Sequence, residues 1–298
     1  MQNILIIKND ASGDVVRTTV LLQFLSGNIY WITANHNQPL FPDNYPGLTV
    51  LPPEHLPDKI AGIMFDLVIN LEEDIKLAKM ISRLTTKKII GVYWKDNKLY
   101  YTPESAEWFD MSLISRFGKS RADELKKQNK KSYQEILFSM FGKSFAGETY
   151  LIYKNEFLPK PAKKRIGIEK RSGAKWANKS WYGYDELVHI LTSETHELYI
   201  FRHRNSLREY LQDIQQCELI ICGDTLAMHI SLAYKIPCIA IFNCTSPDEI
   251  YEYGILKKII SPLLPQSFYK QGKSEEVIQS IRVAEVYAEA EKLLAATV

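Results

Sequence analysis

Short apolar strands that run directly into helices constrain the fold of this chain more than any other feature. Near the end of the chain, the apolar run 219–222 stops at Gly223 and Asp224, and a helical pattern starts at once. Near the start, the apolar run 3–7 gives way to a small-residue loop and then to another helical pattern. Strands that alternate with helices in this way predict parallel sheets covered by helices.

The same alternation occupies both halves of the chain. The predicted strands are 3–7, 28–33, 48–51, 66–70 and 88–92 in the first half, and 166–168, 197–201, 218–222 and 237–242 in the second. Predicted helices lie between them, and a further one is predicted over 247–252. Two prolines and a basic run at 158–165 separate the halves. We therefore predict a first domain over 1–160, a second over 161–278 and a C-terminal helix over 279–298.

The two strand-to-helix loops carry polar residues suited to anions. The first turn of a helix has unpaired backbone N–H groups and the positive end of the helix dipole, so it attracts phosphate. We expect Asp224 to cap its helix and His229 to lie about one turn further on. Taken alone, this segment is also explained by a plain Asp cap and a core-facing His. In the first loop, Gly13 permits a tight turn and Asp14 lies in the opening turn of the helix.

Four short motifs in order resemble the bacterial glycosyltransferases of family 9, the ADP-heptose:lipopolysaccharide heptosyltransferases. They are Ser12-Gly13-Asp14-Val15; Gly173-Ala174 with Lys179-Ser180-Trp181; Asp224-Thr225 with His229; and Phe242 with Thr245 and Pro247. Each motif is weak alone, but their order and spacing cover nearly the whole chain. The chain departs from the family at Leu226, where glycine is common, and at Asn243-Cys244, where Gly-Pro is common.

The resemblance implies a fold and an activity. The fold is α/β with GT-B architecture, in which two Rossmann-like parallel-sheet domains face each other across a cleft and the C-terminal helix crosses back to the first domain. The activity is inverting, metal-independent transfer of a sugar, favoured to be heptose from ADP-heptose, to a hydroxyl of a bacterial surface glycan or glycolipid. The alternatives are a GT-B transferase with another nucleotide sugar, a sugar-nucleotide epimerase, and a non-catalytic nucleotide-sugar-binding protein.

The resemblance also assigns roles to residues. Asp14 is the candidate catalytic base, although an aspartate there could serve only the helix dipole. Lys179 is the candidate counter-charge for the departing diphosphate, although it could be a solvated surface lysine. The predicted donor-binding residues are Gly173, Ala174, Lys175, Lys179, Asp224, Thr225, His229 and Thr245. The predicted acceptor-binding residues are Ser12, Gly13, Arg17 and Thr18.

The charge and composition of the chain argue against several classes of binding partner. The net charge of +2 argues against a nucleic-acid-binding protein, which normally carries a basic domain. Neither Asp-x-Asp nor another metal-ligand spacing occurs, so we expect no metal and no cofactor besides the nucleotide-sugar co-substrate. The apolar runs are too short for a signal peptide or a membrane span, which predicts a cytoplasmic protein. The basic stretch 116–131 is expected to be a solvated face, with peripheral contact to an anionic membrane surface as the alternative.

Overall fold

The computed structural model describes residues 1–55, 59–112, 116–192 and 196–296. The chain divides into two compact units, Met1–Tyr153 and Lys154–Val298. Each unit has its own sheet and its own buried apolar core. The finer domain limits given by the sequence remain predictions.

The first unit contains one sheet built around its first strand. Its strands are β1 (Asn3–Ile7), β2 (Asn28–Ile32), β3 (Leu48–Leu51), β4 (Leu67–Asn70), β5 (Ile89–Lys95) and β6 (Lys98–Tyr101). They lie in the order β3-β2-β1-β4-β5-β6, and β1 to β5 are parallel. The chain order reverses between β1 and β4. Doubly wound sheets bind ligands outside the carboxyl ends of the strands at such a reversal.

Strand β6 corrects the prediction of a purely parallel first sheet, because it pairs antiparallel with β5. The connection is the two-residue turn Asp96-Asn97, whose φ angles are 47° and 60°. Two-residue hairpins with both central residues in the left-handed region match the twist of the strands. Such turns are usually marked by Asn-Gly or Asp-Gly. This chain has no glycine there, and the sequence pattern therefore gave no hairpin signal.

Helices accompany the first sheet, and two of them, Ser12–Thr18 and Tyr133–Ser139, carry residues of the candidate site. The helices are α1 (Ser12–Thr18), α2 (Ile75–Ile81), α3 (Ala106–Asp110), α4 (Lys119–Gln128) and α5 (Tyr133–Ser139). A 3-10 segment, Thr19–Gln23, continues α1. Helix α5 starts with a reciprocal capping box, in which Ser132 and Glu135 each accept a hydrogen bond from the other's backbone N–H. This fixed start holds Tyr133, whose ring contacts α1.

The second unit is a parallel sheet whose order is that of flavodoxin-like folds. Its strands are β7 (Lys164–Glu169), β8 (His196–Ile200), β9 (Leu219–Gly223), β10 (Cys238–Phe242) and β11 (Leu256–Ile260), in the order β11-β10-β9-β7-β8. The order reverses between β7 and β9. Strand β11 was not predicted, because Lys257 and Lys258 interrupt its apolar pattern. Lysines are common on edge strands, where they discourage pairing with other chains.

The helices of the second unit follow the predicted alternation with one exception. They are α6 (Tyr184–Leu191), α7 (Leu207–Gln215), α8 (Leu226–Tyr234), α9 (Leu264–Ser267), α10 (Glu275–Ile278) and α11 (Val283–Ala296). The helix predicted over 247–252 is wrong, since residues 247–250 form turns and bends and residues 251–252 have no regular secondary structure. Just beyond them, Tyr253 and Gly254 have φ angles of 50° and 72°, which a right-handed helix does not accept.

The last helix packs on the core of the second unit. Val286 and Ala290, one turn apart, are buried with Trp181 and Ile281. Its predicted crossing to the first domain remains a prediction, and residues 297 and 298 lie outside the described part. Among the described residues, no helix combines the length and the apolar character that a bilayer span requires.

Candidate functional site

Lys179, Asp224 and Thr245 form a polar cluster at the carboxyl end of β9. Lys179 Nζ donates hydrogen bonds to Asp224 Oδ2 and to the backbone oxygen of Asp224, both at 2.7 Å. Thr245 Oγ1 donates to the same Oδ2, also at 2.7 Å. Three separate sequence motifs thus supply one cluster, which lies at the strand reversal of the second unit.

The carboxyl group of Asp224 is ionised in this cluster. Burial alone would raise its pKa, because charge is costly away from water. The positive charge of Lys179, the nearby His229 ring and hydrogen bonds from Lys179 and Thr245 outweigh burial and lower the pKa of Asp224 to about 2. His229 Nε2 lies 4.0 Å from Asp224 Oδ1. Asp224 is therefore a fixed counter-ion for Lys179 at neutral pH and does not exchange protons there.

The prediction that Asp224 caps helix α8 is wrong. The N-cap residue is Thr225, and its own side chain accepts no hydrogen bond from the N–H groups of the opening turn. The physical reason is competition, since Lys179 and Thr245 already occupy the Asp224 carboxylate. The Thr225 hydroxyl is buried and makes no hydrogen bond within the described residues. The opening turn of α8 thus keeps donors that a bound anion could use.

A close backbone contact holds Lys179 at this position. A Cβ atom on Gly223 would lie 2.6 Å from the Lys179 carbonyl oxygen, so only glycine allows the approach. The side chain of Asn243 donates to the Ser180 carbonyl oxygen at 2.7 Å. Asn243 is one of the departures from the family pattern, and its anchoring role was not anticipated from the sequence.

A second buried network, which we call the Glu169 cluster, lies at the carboxyl end of β7. It consists of Glu169, Arg171 and Tyr210. Glu169 accepts hydrogen bonds from Arg171 Nε at 2.8 Å, from Arg171 Nη2 at 2.5 Å and from the Tyr210 hydroxyl at 2.7 Å. Burial, assisted by the Glu169 charge, raises the pKa of Tyr210, so its hydroxyl remains a donor. The sequence signal for this cluster was a glutamate directly after the apolar residues 166–168, and no role was predicted for it.

In the first unit, Asp14 lies in the opening turn of α1 between two cations. Arg17 donates to Asp14 Oδ1 from Nη2 at 2.6 Å and from Nε at 3.1 Å. Lys8 Nζ lies 3.9 Å from Asp14 Oδ2 and 2.8 Å from Glu72 Oε1. Burial alone would lower the pKa of Lys8, but the carboxylates of Asp14 and Glu72 raise it well above its usual value. Lys8 comes directly after β1 and Glu72 two residues after β4, which places both at the strand reversal of this unit.

Tyr133 completes the surroundings of Asp14. The Arg17 guanidinium lies 3.8 Å from the centre of the Tyr133 ring, a cation–π contact. The Tyr133 hydroxyl and Thr18 Oγ1 are 2.8 Å apart, and Thr18 Oγ1 also donates to the Asp14 carbonyl oxygen at 2.6 Å. Lys8, Glu72 and Tyr133 were not predicted as members of this site, although Lys8 lies only four residues before the first motif.

Residues 203–278, within the second unit, match the model of glycosyltransferase family 9 (heptosyltransferase). Three solved structures match almost the whole chain. One is the E. coli heptosyltransferase WaaC with ADP-2-deoxy-2-fluoro heptose, which is 15% identical, with 98% of this chain and 99% of that chain covered and a TM-score of 0.64. Another is a family 9 glycosyltransferase from Veillonella parvula, which is 15% identical, with 99% of this chain and 97% of that chain covered and a TM-score of 0.69. The third is ADP-heptose lps heptosyltransferase II of E. coli, which is 16% identical, with 100% of this chain and 99% of that chain covered and a TM-score of 0.63. A search of curated protein sequences finds no significant match.

Residues 203–278 resemble glycosyltransferase family 9. The family model bears out the predicted resemblance and, with it, the prediction of a glycosyltransferase. The structural likenesses confirm the two-domain α/β fold. The family model covers the segment that contains Asp224, Thr225, His229 and Thr245.

Not every residue assigned from the family motifs joins a cluster. Gly173, Ala174 and Lys175 are exposed at the start of the 3-10 segment Ala174–Lys179 and share no described hydrogen bond with Asp224. Their donor-binding role remains a prediction.

On the acceptor side, Ser12 Oγ donates to Asn37 Oδ1 at 2.6 Å. Arg17 and Thr18 contact Asp14 and Tyr133, while Gly13 is part of α1. The structure therefore gives Ser12, Arg17 and Thr18 partners within the protein, and their contact with an acceptor remains a prediction.

Basic residues in the stretch 116–131 form ion pairs with acidic residues. Its ion pairs include Arg116 with Asp110, Arg121 with Glu124 and Lys131 with Glu107. This pairing agrees with a solvated, charge-balanced face. Within the described ranges, no group of three or more His, Cys, Asp or Glu side chains could hold a metal ion.

Proposed function

We propose that this protein is an inverting, metal-independent glycosyltransferase that takes heptose from ADP-heptose and transfers it to a hydroxyl of a bacterial surface glycan or glycolipid. The observation that carries the proposal is the Lys179–Asp224–Thr245 cluster at the carboxyl end of β9, beside the open first turn of α8. The solved relatives named with ADP-linked ligands support an ADP-linked donor. Transfer from another nucleotide sugar remains the alternative.

The second unit is proposed to hold the donor diphosphate. Lys179 is already fixed by Asp224, and Thr225 and the first N–H groups of α8 lie directly after Asp224 in the chain. Negative charge on the diphosphate grows as the bond to the sugar breaks. Donors and a cation that are fixed in advance stabilise that charge without having to reorganise. The Thr225 hydroxyl, buried without a partner in the described structure, would gain one from a phosphate oxygen.

The first unit is proposed to supply the base and the acceptor site. Asp14 forms ion pairs with Lys8 and Arg17, and its carboxylate is proposed to accept the proton. The acceptor oxygen forms a bond to the anomeric carbon, its proton passes to Asp14, and the bond between that carbon and the phosphate oxygen breaks with its electron pair leaving on the diphosphate. Attack opposite the leaving group inverts the anomeric carbon. Lys179 and the start of α8 supply the positive charge for which other transferases use a metal ion.

The acceptor is proposed to contact α1, which carries Ser12, Gly13, Arg17 and Thr18 together with Asp14. An anionic group on a glycan or glycolipid would suit Arg17, whose guanidinium can bind phosphate or carboxylate through two parallel hydrogen bonds. Nucleic acid is not a proposed partner.

Calorimetry and a transfer assay test this proposal together. We expect ADP to bind more tightly than UDP or GDP, and ADP-heptose to serve as donor. Asp14→Asn should lower turnover by about a hundredfold or more and leave the Kd for ADP unchanged, because the base acts only in the chemical step. Asp10→Asn, an exposed change in the same loop, is the matched control and should keep normal turnover. Near-normal turnover of Asp14→Asn would exclude Asp14 as the base.

A further inference from the structure

The Glu169 cluster has a feature that a purely structural ion pair does not need. Glu169 is almost fully buried, with 4% of its side chain exposed, whereas 33% of the Arg171 side chain is exposed. Arg171 uses Nε and Nη2 on Glu169. Its third nitrogen, Nη1, makes no hydrogen bond to Glu169 in the part of the chain that the structure describes. The guanidinium is thus locked on one side and has unused N–H donors on the other.

The cluster lies at the strand reversal of the second unit. Glu169 ends β7, and its Cα pairs in register with that of Cys222 in β9, two residues before Asp224. Neighbouring strands lie about 4.8 Å apart, so their carboxyl ends are within the span of one diphosphate group. The loop that leaves β7 at Arg171 leads to Lys179, which is bonded to Asp224 at the end of β9. One loop therefore places a fixed cation beyond each of the two strands that flank the reversal.

We propose that Arg171, held in place by Glu169 and Tyr210, is a second cation for the donor diphosphate beside Lys179. This inference rests on the proposed function and deepens it. Arg171 would contact a phosphate oxygen through Nη1, and Glu169 is a positioning residue that fixes the guanidinium before the ligand arrives. A cation locked in advance loses less conformational freedom on binding than a flexible surface lysine does.

The amino end of the same strand, β7, offers a control ion pair. Arg165, near the start of β7, makes an equivalent two-nitrogen pair with Glu197 and stacks near Tyr199, 4.7 Å from the ring centre. Ligands of such sheets bind at the carboxyl edge and not at the amino edge. The Arg165–Glu197 pair therefore has the same chemistry without the proposed ligand.

The experiment compares two paired variants, since removal of Arg171 alone would leave the buried Glu169 carboxylate without a counter-ion and could unfold the protein. The test protein carries Arg171→Met with Glu169→Gln, and the control carries Arg165→Met with Glu197→Gln. Calorimetry with ADP and with AMP is the measurement. We expect the Kd for ADP to rise roughly 10- to 100-fold in the test protein, as the loss of a charge-assisted hydrogen bond predicts, and to stay constant in the control.

The outcomes separate the two proposals. Weaker ADP binding with a smaller effect on AMP supports contact with the diphosphate. An unchanged Kd for ADP in the test protein, while Lys179→Ala weakens it, overturns the role of Arg171 and leaves the proposed function standing. If the unaltered protein binds no nucleoside diphosphate, the proposed function fails and this inference falls with it. The single variant Arg171→Lys, which keeps the charge without the planar fork, should recover only part of the affinity.

Discussion

Replacement of Asp224 by asparagine should destabilise the second unit to an extent that depends on pH. The amide keeps the shape of the side chain but removes the charge that holds Lys179. The pKa of Asp224 falls from its ordinary value of 3.8 to about 2 in the folded protein. Each pKa unit corresponds to about 1.4 kcal/mol, so the ionised carboxylate stabilises the fold by roughly 2 kcal/mol at neutral pH. Lys179, with 19% of its side chain exposed, also loses its counter-ion. We expect a total loss of about 2 to 3 kcal/mol.

The sign of the pH dependence follows from the lowered pKa. A carboxyl group whose pKa is lower in the folded state contributes its full stabilisation above the unfolded value, here 3.8. That contribution is lost as the pH falls through the folded value of about 2. The difference in unfolding free energy between the original protein and Asp224→Asn should therefore be constant above pH 5. About half of the contribution from ionisation should remain at pH 3.

The assay must report on the second unit alone, because a chain with two units need not unfold in one step. Hydrogen exchange measured by mass spectrometry on peptides from β9 and α8, over a urea series, meets this need. Asp185→Asn is the control, since Asp185 pairs with Lys170 at an exposed site and its loss should change stability by less than about 0.5 kcal/mol. An equal effect of Asp224→Asn at pH 7 and pH 3 would refute the reasoning. So would a coupling below about 0.5 kcal/mol in a double-mutant cycle with Lys179→Met.

Two further predictions concern the donor site. Lys179→Ala should raise the Kd for ADP and also lower the rate constant of transfer, because the charge of Lys179 is needed most when the diphosphate departs. An unchanged Kd by calorimetry together with an unchanged single-turnover rate constant would place the diphosphate contact elsewhere. EDTA should leave the rate of transfer unaltered, since the proposed positive charge comes from Lys179 and the start of α8; a loss of activity that magnesium or manganese restores would reveal a metal requirement.

Local patterns in the chain were sufficient for most of the architecture. Strands β1, β7 and β9 coincide with apolar runs that end in small or charged residues. Helices α1 and α8 start within a few residues of the ends of the runs in β1 and β9. Side-chain period and turn chemistry act over a few residues, so they can be recognised without knowledge of the fold. Strand β6 and the segment 247–252 were misjudged where local signals were weak, at a turn without glycine and at a short amphipathic run.

The partners of the charged residues could not be predicted in the same way. Lys179 and Asp224 are 45 positions apart in the chain, and Thr18 and Tyr133 are 115 apart. Several cations near residue 171 could have served Asp224 equally well on sequence grounds. The close approach at Gly223 brings the backbone of Lys179 to the end of β9, and with it the ammonium that pairs with Asp224.

Local sequence patterns were enough to predict the alternation of strands and helices, the two strand-to-helix loops and the order of the four family motifs. Contacts between distant parts of the chain were needed to show that Asp224 holds Lys179 instead of capping α8, that Arg17 and Lys8 flank Asp14, and that Arg171 is locked on Glu169. The physical reason is the cost of burying charge. A carboxylate that the fold takes out of water must pair with whichever cation the fold brings within reach, and that choice depends on strand order and backbone contacts that no local pattern encodes.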